Sequence, residues 1–174
     1  MWHRLLARLF PSTPLIEVGI SKEALLHNFR TYQEAHPDLL LSPVLKSNAY
    51  GHDLGLVARV LDKEPIAFFM VDSLYEARRL REARVKSRIV VMGYVRPEDI
   101  ARSRLRDVDF AITDAEQLRV LTHLVRSSKR VHLKLDTGMH RQGIPTDDLP
   151  DAIALLKSHP YLKLVGVCSH FADA

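Results

Sequence analysis

The chain has 174 residues, 47% of them hydrophobic and 26% charged, with one cysteine; these are the proportions of one globular domain and exclude a disordered or collagen-like chain. A single cysteine excludes an internal disulfide and a thiolate metal cage, and points to a reducing, cytoplasmic setting. Lys+Arg 25 against Asp+Glu 21 leaves +4, too even a balance for a nucleic-acid partner, and no apolar run approaches the ~20 residues of a membrane helix.

In chain order, residues 1–14 read as a loose amphipathic lead-in: Arg8 breaks the apolar stretch, and Pro11 and Pro14 end it. Residues 15–174 read as one domain of alternating strands and helices. Leu15 to Ile20 alternates like a strand, and Ser21 can cap a helix to about Glu34 with Leu25, Leu26 and Phe29 on one face. Leu39 to Lys46 is predicted as the next strand, followed by a helix from Asp53 to Leu61. Ile66 to Val71 is a strand, after which Ser73 and Glu76 form a capping box for an Arg-rich helix. Ile89 to Tyr94 is a strand, and Pro97 suits the first turn of a short helix. Asp109 to Ile112 is a strand, with Thr113 and Glu116 as a second capping box. Val131 to Asp136 is a strand, Thr146 to Ser158 a helix, and Leu164 to His170 a last strand.

Such alternation implies right-handed βαβ units and a parallel sheet covered by helices. A doubly wound sheet and a (β/α)8 barrel share the signature. A barrel has eight strands in usually ~250 residues, so about six strands here make either a complete open sheet or an incomplete barrel.

Several chemistries are excluded by their missing motifs. Seven glycines include no G-x-G-x-x-G or G-K-[ST] loop, nine histidines make no zinc spacing, and no H-E-x-x-H or G-x-S-x-G occurs. Three strand ends do carry polar groups that a buried sheet disfavours. The first is Val44-Leu45-Lys46-Ser47-Asn48-Ala49-Tyr50-Gly51-His52. Its Lys46 shares the Val44 side on a period of two, and desolvation there makes an amine a Schiff-base nucleophile. A strand-end lysine reaching water is the plainer alternative. In the second, Val131, Leu133 and Leu135 face one side while His132, Lys134 and Asp136 face the other, ahead of a Gly-flanked loop holding Arg141. An edge strand with one wet face gives the same alternation. The third is the apolar strand that ends in Ser169-His170-Phe171.

Together these segments resemble the alanine racemase family of pyridoxal-phosphate-dependent barrel enzymes. The resemblance is carried by Val44 to His52, by Lys134-Leu135-Asp136-Thr137-Gly138-Met139-His140-Arg141 and by Ser169-His170-Phe171-Ala172. It implies a TIM-type barrel and pyridoxal 5'-phosphate (PLP) as cofactor. Lys46 matches the lysine that holds PLP as an internal aldimine and acts as one base, and Tyr50 the tyrosine on its phosphate. Arg141 matches the arginine beside the phenolic oxygen, Lys134 a lysine often carbamylated to orient that arginine, and His170 a histidine under the ring. His140 departs from the glycine or asparagine common there. The family's interconversion of L- and D-alanine supplies peptidoglycan and uses a homodimer. Its second base, and two further strands, lie in sequence that does not match these 174 residues, so the expectation is an N-terminal part that is inactive alone. The alternatives are a stand-alone PLP-handling barrel protein and a non-catalytic barrel subunit. No metal is implied.

Overall fold

A computed structural model describes residues 15–173; the 1–14 lead-in lies outside the described residues. The helices begin where local chemistry supplies a cap. Ser21 Oγ accepts from Ala24 N at 3.1 Å and starts α1 (Lys22–Ala35), whose Phe29 is buried. Asp53 Oδ1 accepts from Leu56 N at 2.8 Å and starts α2 (Leu54–Leu61). Ser73 Oγ accepts from Glu76 N at 3.2 Å and starts α3 (Leu74–Glu82). Pro97 opens the short α4 (Pro97–Arg102), a position where its missing N–H costs nothing. At α5 (Ala115–Leu124) the cap is Asp114, whose Oδ1 accepts from Gln117 N at 2.7 Å. The predicted Thr113–Glu116 box is therefore displaced by one residue. A 3-10 turn at Thr146–Asp148 leads into α6 (Leu149–Ser158).

Between the helices run β1 (Phe69–Val71), β2 (Ile89–Val91), β3 (Val108–Ile112), β4 (Lys129–Lys134) and β5 (Leu162–Cys168). All neighbours are parallel, and the order in space is the order in sequence, β1-β2-β3-β4-β5. A doubly wound sheet reverses direction at a switch point. This one does not, so the architecture is that of a (β/α) barrel. It is incomplete among the described residues: β5 is paired on the β4 side alone.

Two of the predicted strands differ. The Leu39–Lys46 segment lies along β1 but makes a single bridge, Val44 to Met70. Its bonds are Ala67 N to Leu41 O at 2.9 Å, Met70 N to Pro43 O at 2.9 Å and Leu45 N to Met70 O at 2.7 Å. Pro43 has no N–H to give, and the chain leaves the extended region at Leu45 (φ −116, ψ 17). Leu15–Ile20 is not a strand: it makes no ladder with any described strand, and Leu15, Ile16 and Val18 stand exposed. Alternation provides a face, but a strand exists only against a partner.

The sheet separates two environments. Phe69, Val71, Ile89, Val91, Phe110, Ile112, Val131 and Leu133 point to the helices and form the core with Leu80, Ile100, Leu118 and Leu121. Burying each such side chain is worth about 1.5–3 kcal/mol. The opposite face, the barrel interior, carries Asp109, Ala111, His132 and Lys134 by strict alternation.

Candidate functional site

The barrel interior is polar at both ends, in different ways. Toward the strand N-termini, Asp109 is 1% exposed and accepts from Arg88 Nη1 at 2.9 Å, Arg130 Nε at 3.0 Å and the His132 ring at 3.4 Å. Burial, the strongest single influence, raises its pKa. The hydrogen bonds from His132, Arg130 and Arg88 together outweigh it and hold the carboxyl below its ordinary value. Phe68 closes over the His132 ring edge-on, with centroids 5.8 Å apart. Gly166 makes room on the other side, since a Cβ there would sit 2.4 Å from His132 Nδ1. This end is closed on itself.

Toward the strand C-termini the cations are left open. Among the described residues no ion pair includes Lys46, Lys134 or Arg141. Lys134, 8% exposed, donates only to the neutral Gln142 Oε1 at 3.2 Å. It stands opposite Cys168 on β5. Burial pushes the Cys168 thiol up, and the Lys134 charge offsets part of that rise. Beyond β4 the loop is shaped by Asp136, which accepts from the Gly138 and His140 amides, each at 3.0 Å. Those two bonds, with the nearby His140 ring, hold the half-buried Asp136 carboxyl below its ordinary range. His140 takes φ 52, a left-handed value, and its ring lies 3.2 Å from Asp136. Gly143 (φ 137) cannot carry a side chain, because a Cβ would meet Asp136 N at 2.3 Å. Arg141 then lines a cleft of about 400 Å³ with Tyr94, Thr113, Gln142, His140 and the carboxylates Asp114 and Asp136, so this cleft carries both signs. Ser169 Oγ donates to Leu135 O at 3.1 Å and ties the β5 end, just before His170, to the same loop.

Lys46 sits at the other edge of the sheet and opens an unusual turn. Ser47, Asn48 and Ala49 take φ 53 to 56 and ψ 45 to 48, and Tyr50 follows at φ 55. This is one turn of left-handed helix made without glycine, which costs about 1–2 kcal/mol per residue. Gly51 (φ 90) ends it. Such strain persists only where surroundings enforce it, and it concentrates at functional sites. Ala49 is buried and its N–H donates to Leu45 O at 2.8 Å. Asn48 Oδ1 accepts from Leu54 N at 2.9 Å, and Asn48 N donates to Glu76 Oε1 at 3.2 Å. Lys46 itself is half-buried and Tyr50 exposed.

The structure thus places Lys46, Lys134, Arg141 and His170 at the C-terminal ends of sheet segments, the end where barrel enzymes build their sites. It links Lys134, the Arg141 loop and the His170 segment directly. Among the described residues, no hydrogen bond joins Lys46 or Tyr50 to them. The period-two argument for Lys46 ends one residue short, because Leu45 is no longer extended. Glu76, which reads in the sequence as half of a capping box, turns out to hold the Lys46 turn. Its side chain reaches the neighbouring Asp72 N and the distant Asn48 N rather than Ser73 N; the bond to Asn48 is a long-range one that spacing does not signal. A groove of about 850 Å³ between α2 and α3 borders the turn. It carries both signs, Arg59 and Arg79 beside Asp53 and Glu82, and so favours no anion.

Residues 20–174 match the family model for the alanine racemase N-terminal domain. Alanine racemase from Syntrophobacter fumaroxidans is 37% identical over 161 residues, which are 90% of this chain and 43% of that protein. The crystal structure of alanine racemase from Bacillus anthracis with bound L-Ala-P superposes with a TM-score of 0.80 at 32% identity, over 87% of this chain and 40% of that one. A histidine racemase from Leuconostoc mesenteroides subsp. sake superposes with a TM-score of 0.81 at 26% identity, over 88% and 42%. The chain spans about two-fifths of the length of the curated relatives it matches.

Proposed function

Because the chain belongs to the alanine racemase family, by a domain match over residues 20–174, we propose that it is the N-terminal, PLP-holding part of an alanine racemase. The observation that carries this reading is that three cations with no ion-pair partner among the described residues, Lys46, Lys134 and Arg141, all lie toward the C-terminal ends of sheet segments. The donor set fits the cofactor: an amine for its aldehyde, a guanidinium for its phenolic oxygen and a phenol for its phosphate. When bound, PLP supplies an electron sink that makes the amino-acid α C–H acidic.

The chain's own residues have the following parts. Lys46 Nζ holds the cofactor and takes or returns the α-proton on one face. Tyr50 Oη anchors the phosphate. Arg141 orients the ring through its oxygen, Lys134 stands behind the Arg141 loop, and His170 supports the ring from the β5 end. Moving a proton off one face and onto the other requires a second base, so this part supplies half of the acid–base pair and works within a homodimeric whole. D-alanine for the cell wall, made in the cytoplasm, is the corresponding product. The histidine racemase likeness is a specific reason to test the amino acid as well as the cofactor, since this half of the fold is shared across substrates.

Incubation with PLP, borohydride reduction and peptide mapping tests the reading. The expected label is on Lys46, and prior addition of alanine reduces it. A label on any other lysine overturns the site; protection by histidine but not by alanine overturns the substrate.

A further inference from the structure

We propose that Glu76 is the positioning residue of the Lys46 turn, and that it is a carboxylate because both of its partners are donors. The proposal rests on the reading of Lys46 given above. Glu76 is 9% exposed and spends both oxygens on backbone amides: Oε1 on Asn48 N at 3.2 Å, Oε2 on Asp72 N at 2.9 Å. Asn48 is two residues beyond Lys46, and Asp72 is the first residue beyond β1. One side chain therefore pins the left-handed turn to the end of the neighbouring strand. The first turn of α3 favours the negative charge in that place.

Gln117 occupies the equivalent third position of α5 and shows why the choice matters. Its Oε1 accepts from Thr113 N at 2.8 Å, while its Nε2 donates to Val95 O at 2.7 Å. One partner is a donor and one an acceptor, and only an amide serves both. At Glu76 both partners donate, so an amide would satisfy one and turn an N–H toward the other. A residue kept only as a helix-start side chain would accept Glu76→Gln without consequence. A residue that holds the turn would not.

The test compares the unsubstituted chain, Glu76→Gln and Gln117→Glu by amide hydrogen exchange, read by mass spectrometry, and by PLP labelling. Glu76→Gln is expected to raise exchange across the Ser47–Gly51 peptide about tenfold. It is also expected to slow borohydride-trapped labelling of Lys46 about tenfold, with β4 exchange unchanged. Gln117→Glu should leave the Ser47–Gly51 exchange as it is. Exchange and labelling within about twofold of the unsubstituted chain in Glu76→Gln would overturn the proposal. Faster exchange in Glu76→Gln, with no Lys46 label in any of the three proteins, supports the tether and overturns the cofactor reading instead. Should Glu76→Gln not fold, the Asn48 amide of the unsubstituted chain decides. On an exposed residue it is expected to exchange about a hundredfold slower than an open amide, and an unprotected amide overturns the tether.

Discussion

The two ends of the barrel interior use the same kinds of residue to opposite ends. At the N-terminal end Arg88, Arg130 and His132 converge on one carboxylate that is 1% exposed, and every charge has its partner inside the chain. At the C-terminal end Lys134 is as buried as His132, yet its acceptor is a neutral amide, and Arg141 and Lys46 make no ion pair among the described residues. A buried charge without a partner is costly. The first arrangement ties its charges together within the fold; the second leaves the buried Lys134 with a neutral acceptor only, as the proposed cofactor reading requires.

The largest expected effect breaks the closed end. Asp109→Ala leaves two guanidinium groups and the His132 ring without their shared acceptor and is expected to lower stability by about 3 kcal/mol, moderated because both guanidinium groups reach water. Chemical denaturation checks it, and a loss under about 1 kcal/mol would mean that the cluster is not a unit. Acid acts on the same carboxylate. Its folded pKa lies below the ordinary 3.8, so its contribution is present above that value and is lost as pH falls through the lower folded one. Thermal melts below pH 4 are expected to show that loss, and Asp109→Asn is expected to show less of it. Gly166→Ala comes next: its Cβ would meet the His132 ring, a clash expected to cost about 1–3 kcal/mol in a melt. The smallest effect sharpens the open end. The Cys168 thiol, pushed up by burial, is expected to alkylate about two- to threefold more slowly in Lys134→Met, which removes the offsetting charge. Faster alkylation would place Lys134 elsewhere.

How much of this was legible in the sequence follows from the range of each interaction. Ser21, Asp53 and Ser73 caps are local, and they start helices where the spacing expects them. The two faces of β4 follow from a period of two, and Val131 and Leu133 are in the core as expected. The Asp109 cluster depends on the register of three strands, which no window of sequence contains. The left-handed turn after Lys46 is likewise silent: of Ser47, Asn48, Ala49 and Tyr50, only asparagine has a leaning toward that conformation. Leu15–Ile20 misled because alternation predicts a face and not a neighbour. The motifs at Lys46 and at Lys134 to Arg141 were legible as a resemblance, and the 20–174 domain match agrees with it.

The contrast between the two ends is tested most directly by PLP affinity, measured by absorbance titration for Arg141→Ala and Arg130→Ala side by side and normalised to folded protein. Loss of the open-end arginine is expected to weaken binding by about tenfold or more. Loss of the closed-end arginine is expected to leave affinity within about twofold. Equal losses, or a greater loss in Arg130→Ala, would contradict the assignment of binding to the strand C-termini.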